Sequence, residues 1–461
     1  MNREDQLLIE STHTDTHRAH DGEPPVQRYS VPSLDGCGGA VRMPTMLGLA
    51  PAGHPGGHPA SGTSRPPAMM KAMKGMPGMP KLDYNRSPFL IIWEATQACD
   101  LACTHCRASA QPEQAPGELT TEEAKGLLRQ TKELGTPIFI ISGGDPLKRP
   151  DLFELIRYGA ELGLRMATIP AATPMLQEDV VRRLKEAGCA QMAQSLDFPT
   201  AKLHDEFRGV PGAFAKTMQA VEWAHKYSLP VQINTTLTAK TAPYLEQMVD
   251  LVQKLGIVFW EVFFLVPMGR GAELAGLTAD QCEEIFETLY RLQKKSNFLV
   301  KITEAPHYRR YVMQREWAEE AEASAAQGEG HPARHVQNLP RQLIRTEGPG
   351  HTIGLATQGV NSGNGFMFIS HLGEVMPSGF LPIKAGNVRT HTLESVYRES
   401  ELFLALRSPD RFKGICGYCE FNRICGGSRS RAYAITGDYM ETDPWCAYRP
   451  KPKPAGAEHR A

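Results

Sequence analysis

Apolar and polar positions divide the chain into a long unpatterned start, a regular middle and a short, turn-rich end. Strand-like apolar runs recur at 89–96 (FLIIWEAT), 138–144 (IFIISGG), 165–172 (RMATIPAA), 190–198 (AQMAQSLDF), 231–238 (VQINTTLT) and 259–267 (FWEVFFLVP). Between and after them lie segments with the spacing of amphipathic helices: TTEEAKGLLRQTKELG, DLFELIRYGAELG, QEDVVRRLKEAG, FAKTMQAVEWAHKY, PYLEQMVDLVQKLG and TADQCEEIFETLYRLQKKS. Gly135, Gly163, Gly188 and Gly256 follow helix ends, where a glycine can reverse the chain. Six strand-then-helix units in series predict an α/β fold, a parallel sheet with helices outside, closed or partly closed into a (β/α)6 TIM-type barrel. Chemistry in such barrels sits at the C-terminal ends of the strands.

The flanking stretches lack this texture. Residues 1–84, rich in Gly, Pro, His and Met, read as a disordered N-terminal extension, and His54, His58 and Cys37 fall within it. The barrel core is expected over 85–315, a helix and loop acting as linker or flap over 316–349, a small second unit over 350–449 and a tail over 450–461. That second unit opens with a hairpin, GFMFISHLGEVMPSGF. The 50 basic and 51 acidic residues leave no global field, which argues against nucleic acid as a partner. No apolar run is long enough to span a membrane and the N-terminus lacks the order of a secretory signal, so a soluble, cytoplasmic protein is the expectation.

A reducing compartment makes the ten cysteines a poor disulfide framework, and their clustering says more than their number. Cys189 and Cys282 stand in helical surroundings, as small buried hydrophobes. Cys99, Cys103 and Cys106 form a CxxxCxxC loop directly after the first strand. Three thiolates suit part of a zinc site or three corners of a cubane iron-sulfur cluster with one iron left open.

A CxxxCxxC loop after the first strand of a (β/α)6 chain resembles the signature of radical S-adenosylmethionine (SAM) enzymes. The resemblance implies that the open iron chelates the methionine end of SAM. Reductive cleavage of SAM then yields a 5'-deoxyadenosyl radical that abstracts hydrogen from a substrate, with the electron coming from a low-potential donor such as ferredoxin or flavodoxin. It also implies roles for other positions. ISGGDPL at the end of the second strand is similar to the family's Gly-Gly-acid-Pro motif, with Gly143 and Gly144 allowing close backbone approach and Asp145 facing the methionine ammonium. His105 stands where the family carries an aromatic residue near cluster and adenine, and Ser195, Asp197 and Asn234 are placed for the carboxylate and ribose of SAM. No catalytic side chain is assigned beyond the cluster.

The second group, Cys416, Cys419, Cys425 and Cys446, offers a complete set of four thiolates, and zinc fits it by ligand count. CxxCxxxxxC followed by a distant cysteine resembles the SPASM domain, an auxiliary-cluster extension of radical SAM enzymes. A full SPASM domain holds two auxiliary clusters and has a cysteine four positions after the third of this run, where this chain has Arg429. The resemblance therefore implies one auxiliary 4Fe-4S cluster on these four cysteines.

CGGSRSRAYAITGDYMETDPWCAY, PSGFLP and GNVR look like the subfamily of alternative haem and denitrification-haem biosynthesis enzymes, which alter propionate side chains of tetrapyrroles. For such a substrate, Arg270 after the sixth strand, and Glu304, His307, Arg309 and Arg310 after a seventh strand-like run, read either as a rim that clamps carboxylates or as solvated surface charge. Two other functions stay open: a peptide-modifying SPASM maturase, against which the absence of a recognisable peptide-binding domain in the first 84 residues counts, and a non-catalytic iron-sulfur electron carrier.

Overall fold

The computed structural model describes residues 82–326 and 359–450. Cys37, His54, His58, most of the expected linker and the tail beyond 450 lie outside the described residues. Six parallel strands follow the expected apolar runs: β1 (Leu90–Glu94), β2 (Ile138–Ser142), β3 (Arg165–Thr168), β4 (Gln191–Ser195), β5 (Val231–Leu237) and β6 (Phe259–Phe264). A seventh, β7 (Leu299–Thr303), continues the sheet beside β6.

The helices between them are α1 (Thr121–Glu133), α2 (Leu152–Glu161), α3 (Glu178–Glu186), α4 (Ala201–Arg208), α5 (Ala213–Lys226), α6 (Leu245–Val252) and α7 (Ala279–Lys295). α8 (His307–Ala326) follows β7. Local chemistry starts them: Thr120 with Glu123, and Thr278 with Gln281, form capping boxes at α1 and α7. Helix α4 has no counterpart in the periodicity reading.

Strand alternation then divides the side chains between two environments. In β5, Val231 and Ile233 join the main core beneath the helices, whereas Gln232 and Asn234 face the barrel interior with Gln191 and Glu261. Cys189 and Cys282 lie in that main core. The barrel stays partial: the sheet runs β10-β9-β8-β1-β2-β3-β4-β5-β6-β7, and β7 and β10 form its two edges.

The three added strands come from the C-terminal part. β8 (Phe366–Ile369) and β9 (Glu374–Met376) form the expected hairpin, and β10 (Gly386–Asn387) pairs with β9. Strand β8 also lies parallel to β1, with Leu90 opposite Phe366 and Trp93 opposite Ile369. The C-terminal unit therefore shares the barrel's own sheet, a pairing that local periodicity does not encode. Tyr84, read from the sequence as the end of a disordered extension, is buried, and its carbonyl accepts from the Tyr397 hydroxyl at 2.7 Å. After β10 the chain is short helices and turns: α9 (Leu393–Glu399), α10 (Glu401–Leu406), α11 (Gly414–Tyr418) and α12 (Arg429–Thr436).

Candidate active site

The CxxxCxxC loop leaves the C-terminal end of β1 and folds back on the end of β2. Gly144 donates its N–H to Thr96 O at 2.7 Å and Asp145 donates to Ala98 O at 2.6 Å. A Cβ on Gly143 would stand 2.8 Å from Thr96 O, and one on Gly144 would collide with Ala98 O. The close approach these glycines permit is thus to the cysteine loop itself.

Asp145 is fully buried and accepts from Leu147 N at 3.0 Å, Ala171 N at 3.2 Å and Thr173 Oγ1 at 3.1 Å. Burial still pushes its carboxyl above the ordinary range. Ser195 and Asn234 stand opposite each other in the β4–β5 pairing. Asn234 Oδ1 accepts from Gln232 at 2.7 Å, so this pair sits beside an interior polar ladder that also holds Gln191 and Glu261.

Cys99, Cys103 and Cys106 cluster with Leu101, Ala110, Ala171 and Val210. Burial pushes the Cys99 thiol up to about 12 and raises that of Cys103. Donors converge on the sulfurs: Leu101 N on Cys99 and Ala110 N on Cys106, both at 3.4 Å, and the Arg208 guanidinium on Cys103 at 3.7 Å. Buried thiols ringed by N–H groups and a cation suit a thiolate-bound, negatively charged cluster. Three nearby buried nitrogens, His105 Nδ1, Arg208 Nε and Arg270 Nη2, have no hydrogen-bond partner among the described residues.

His105 stacks on Phe207 with ring centroids 4.4 Å apart, and burial drives its imidazole down to about 3, so it is neutral. Asp197 pairs with Arg208, and its Oδ1 accepts from Thr236 N at 2.8 Å. Burial opposes the Asp197 charge, but Arg208 outweighs it and holds the carboxyl below its usual range.

The rim arginines are held by other parts of the chain. Arg270 lies over the cysteine loop, its Nε donating to Cys103 O at 2.9 Å and its Nη1 to Ala110 O at 3.1 Å. Arg309 donates to Ile424 O and Val360 O, Arg310 pairs with Glu283, and Glu304 accepts from Ser428 at 2.5 Å and Ser430 at 3.0 Å. His307 is fully buried beside Asp443. Neither a carboxylate clamp nor a solvated surface describes these side chains: Arg270 braces the cysteine loop, Arg310 is paired with Glu283 of α7, and Glu304, His307 and Arg309 tie the barrel to the C-terminal segment.

Periodicity missed another group. Glu94, the last residue of β1, holds both Arg107 and His371, the latter at 2.7 Å. Arg107 also donates to Gly379 O at 3.2 Å and covers the Phe368 ring at 4.6 Å. Burial opposes ionisation of Glu94, yet Arg107 and His371 keep its carboxyl below the ordinary value, and its hydrogen bond raises His371. The signal available in the sequence was a carboxylate closing an otherwise apolar strand.

In the C-terminal segment, Cys416, Cys419, Cys425 and Cys446 line one cavity of about 150 Å³. Gly427, in the left-handed region at φ 66°, donates to Cys425 Sγ at 3.3 Å. A Cβ on Gly427 would stand 3.1 Å from Cys416 Sγ, so the cradle depends on the missing side chain.

The parallel α/β sheet thus carries a three-cysteine loop at the end of its first strand. Residues 93–252 match the model of the Radical SAM superfamily. The chain is 40% identical over 406 residues to the AdoMet-dependent heme synthase of Oleidesulfovibrio alaskensis, covering 87% of this chain and 97% of that one. It is also 40% identical to the Methanosarcina barkeri protein of the same name, covering 80% and 98%. In structure it is similar to Streptococcus suis SuiB bound to its precursor peptide SuiA, with a TM-score of 0.60, 16% identity, and 79% and 76% of the two chains covered. The chain belongs to the radical SAM superfamily, in the group that contains these heme synthase relatives. It is an enzyme that uses a 4Fe-4S cluster to cleave S-adenosylmethionine reductively to a 5'-deoxyadenosyl radical, which abstracts hydrogen from a substrate. Among the described residues no helix is long and apolar enough to cross a membrane.

Proposed function

We propose that this enzyme modifies the propionate side chains of a tetrapyrrole, a haem precursor. The observation that carries the reading is the 40% identity to heme synthases along nearly their whole length. The barrel mouth supports it. Phe263, on the interior face of β6, packs against Phe380 at 6.3 Å, and Arg107 lies over Phe368. Aromatic faces beside the Arg107 guanidinium, which Glu94 holds in place, suit a flat macrocycle.

In this reading Cys99, Cys103 and Cys106 hold the SAM-binding cluster of a core spanning 85–315. Cys416, Cys419, Cys425 and Cys446 hold one auxiliary 4Fe-4S cluster in a SPASM-like unit spanning 350–449. Arg270, Arg208 and the Gly143–Gly144 turn fix the cysteine loop, and Ser195, Asn234, Asp145 and His105 complete the SAM pocket. A low-potential donor, ferredoxin or flavodoxin, supplies electrons in the cytoplasm.

The test is anaerobic reconstitution followed by iron counting and incubation with SAM, dithionite and a propionate-bearing tetrapyrrole. About eight irons per chain are expected for two four-iron clusters. Formation of 5'-deoxyadenosine should be matched by a mass change in the tetrapyrrole. SAM cleavage that leaves every tetrapyrrole unchanged but modifies a peptide would favour the maturase reading.

A further inference from the structure

Two arginines of α12 are fully buried, and they are balanced differently. Arg431 is paired with Asp443 through Nε at 2.9 Å and Nη2 at 2.8 Å. Arg429 has no carboxylate within ion-pair distance among the described residues. Its Nε donates to Gly427 O at 3.4 Å, its Nη1 to Tyr439 O at 3.1 Å and Glu441 O at 2.7 Å, and its Nη2 to Cys416 Sγ at 3.4 Å. The guanidinium face lies 4.6 Å from the Phe412 ring centroid, so one side is sealed by hydrocarbon.

A permanently charged group buried among neutral carbonyls is costly unless a negative charge stands beside it. Of the atoms Arg429 hydrogen-bonds, only the Cys416 sulfur can carry one; the Asp438 carboxylate acts on the guanidinium from beyond ion-pair distance and is itself paired with Lys413. That sulfur lines the same cavity as Cys419, Cys425 and Cys446. Four thiolates around a 4Fe-4S core carry a net charge of about −2, and about −3 once reduced.

We propose that Arg429 is the built-in counter-cation of the auxiliary centre and raises its reduction potential. This rests on the assignment of the four cysteines to a cluster. Reduction adds one electron to the centre and no proton moves, because the guanidinium stays protonated in both states. The reduced form has one more negative charge for Arg429 to stabilise, in surroundings with little water to screen it. Where the two-cluster form of the domain has a further cysteine, this chain holds a fixed positive charge. The C-terminal site is thereby poised to accept an electron, which a purely structural cluster does not require.

The test is an EPR-monitored redox titration of the full-length, reconstituted protein and its Arg429→Gln and Arg429→Lys variants. Arg429→Gln should hold about eight irons per chain with an auxiliary midpoint shifted to lower potential, while the SAM-binding cluster keeps its own. Arg429→Lys, which keeps the charge, should stay near the wild-type value. An unchanged midpoint in Arg429→Gln at full iron content overturns the proposal, as does an equal fall in both variants, which would make packing rather than charge the cause. If Arg429→Gln fails to retain iron, Arg429→Met, which also removes the charge, takes its place: a lowered midpoint supports the proposal and an unchanged one overturns it. Wild-type protein that holds only about four irons would instead sink the cluster assignment.

Discussion

Replacing Arg270 by methionine separates two roles for one side chain. As a rim clamp it would bind a substrate carboxylate; in the structure it holds the carbonyls of Cys103 and Ala110. A hydrogen bond from a charged donor contributes about 1.5–3 kcal/mol, so two come to about 3–6 kcal/mol. The unpartnered Nη2 offsets about 1–3 kcal/mol of this. A net loss of about 3 kcal/mol corresponds to about two orders of magnitude in the population of the ordered cysteine loop, at about 1.4 kcal/mol per factor of ten. Methionine preserves most of the packing, and the backbone bond from residue 270 N to Cys106 O remains. Arg270→Met should therefore bind less iron at the first cysteine group and form 5'-deoxyadenosine far more slowly, even without substrate. Iron content and single-turnover SAM cleavage measure both effects. Full iron and normal uncoupled SAM cleavage, with only a raised KM for the tetrapyrrole, would refute the reasoning and restore the substrate clamp.

Three further outcomes follow from the same geometry. Gly144→Ala drives a Cβ into Ala98 O and should cost about 1–3 kcal/mol as overpacking, read as a lower melting temperature together with iron lost from the first group only. Asp443→Asn leaves the buried Arg431 without its counter-charge; breaking a buried pair costs about 3–5 kcal/mol, so thermal unfolding should shift strongly while Cys99–Cys106 iron in the folded fraction stays constant. Glu94 raises the folded-state value of His371 above its ordinary 6.5, so the pair's stabilisation is complete below about pH 6.5 and is lost as pH rises through that higher value. The melting difference between wild type and His371→Gln should accordingly be larger at pH 6 than at pH 9, and a difference that grows with pH would contradict the pairing.

Much of the barrel was legible because its signals are local. Strand runs, helix spacing and capping boxes each depend on residues a few positions apart, and β1 to β6 lie where those signals put them. Helix α4 escaped because its eight residues, AKLHDEFR, are too short for a clear apolar stripe, although they carry the Arg208 that reaches Cys103. The rim was misread for a different reason. An arginine's charge is visible in a sequence, but its partner is not: Arg309 and Arg310 sit side by side, and one holds carbonyls while the other holds a carboxylate.

By itself the sequence determined the chemistry on offer, three thiols on a loop after the first strand and four near the end, because ligand type and spacing are properties of short segments. Only the tertiary structure decided what surrounds them. Placing β8 beside β1 brings His371 to Glu94 across 277 residues, and the fold of the last segment sets Arg429 against Cys416. Such pairings depend on which distant surfaces meet when the sheet and its helices bury their apolar faces, and no local pattern records that.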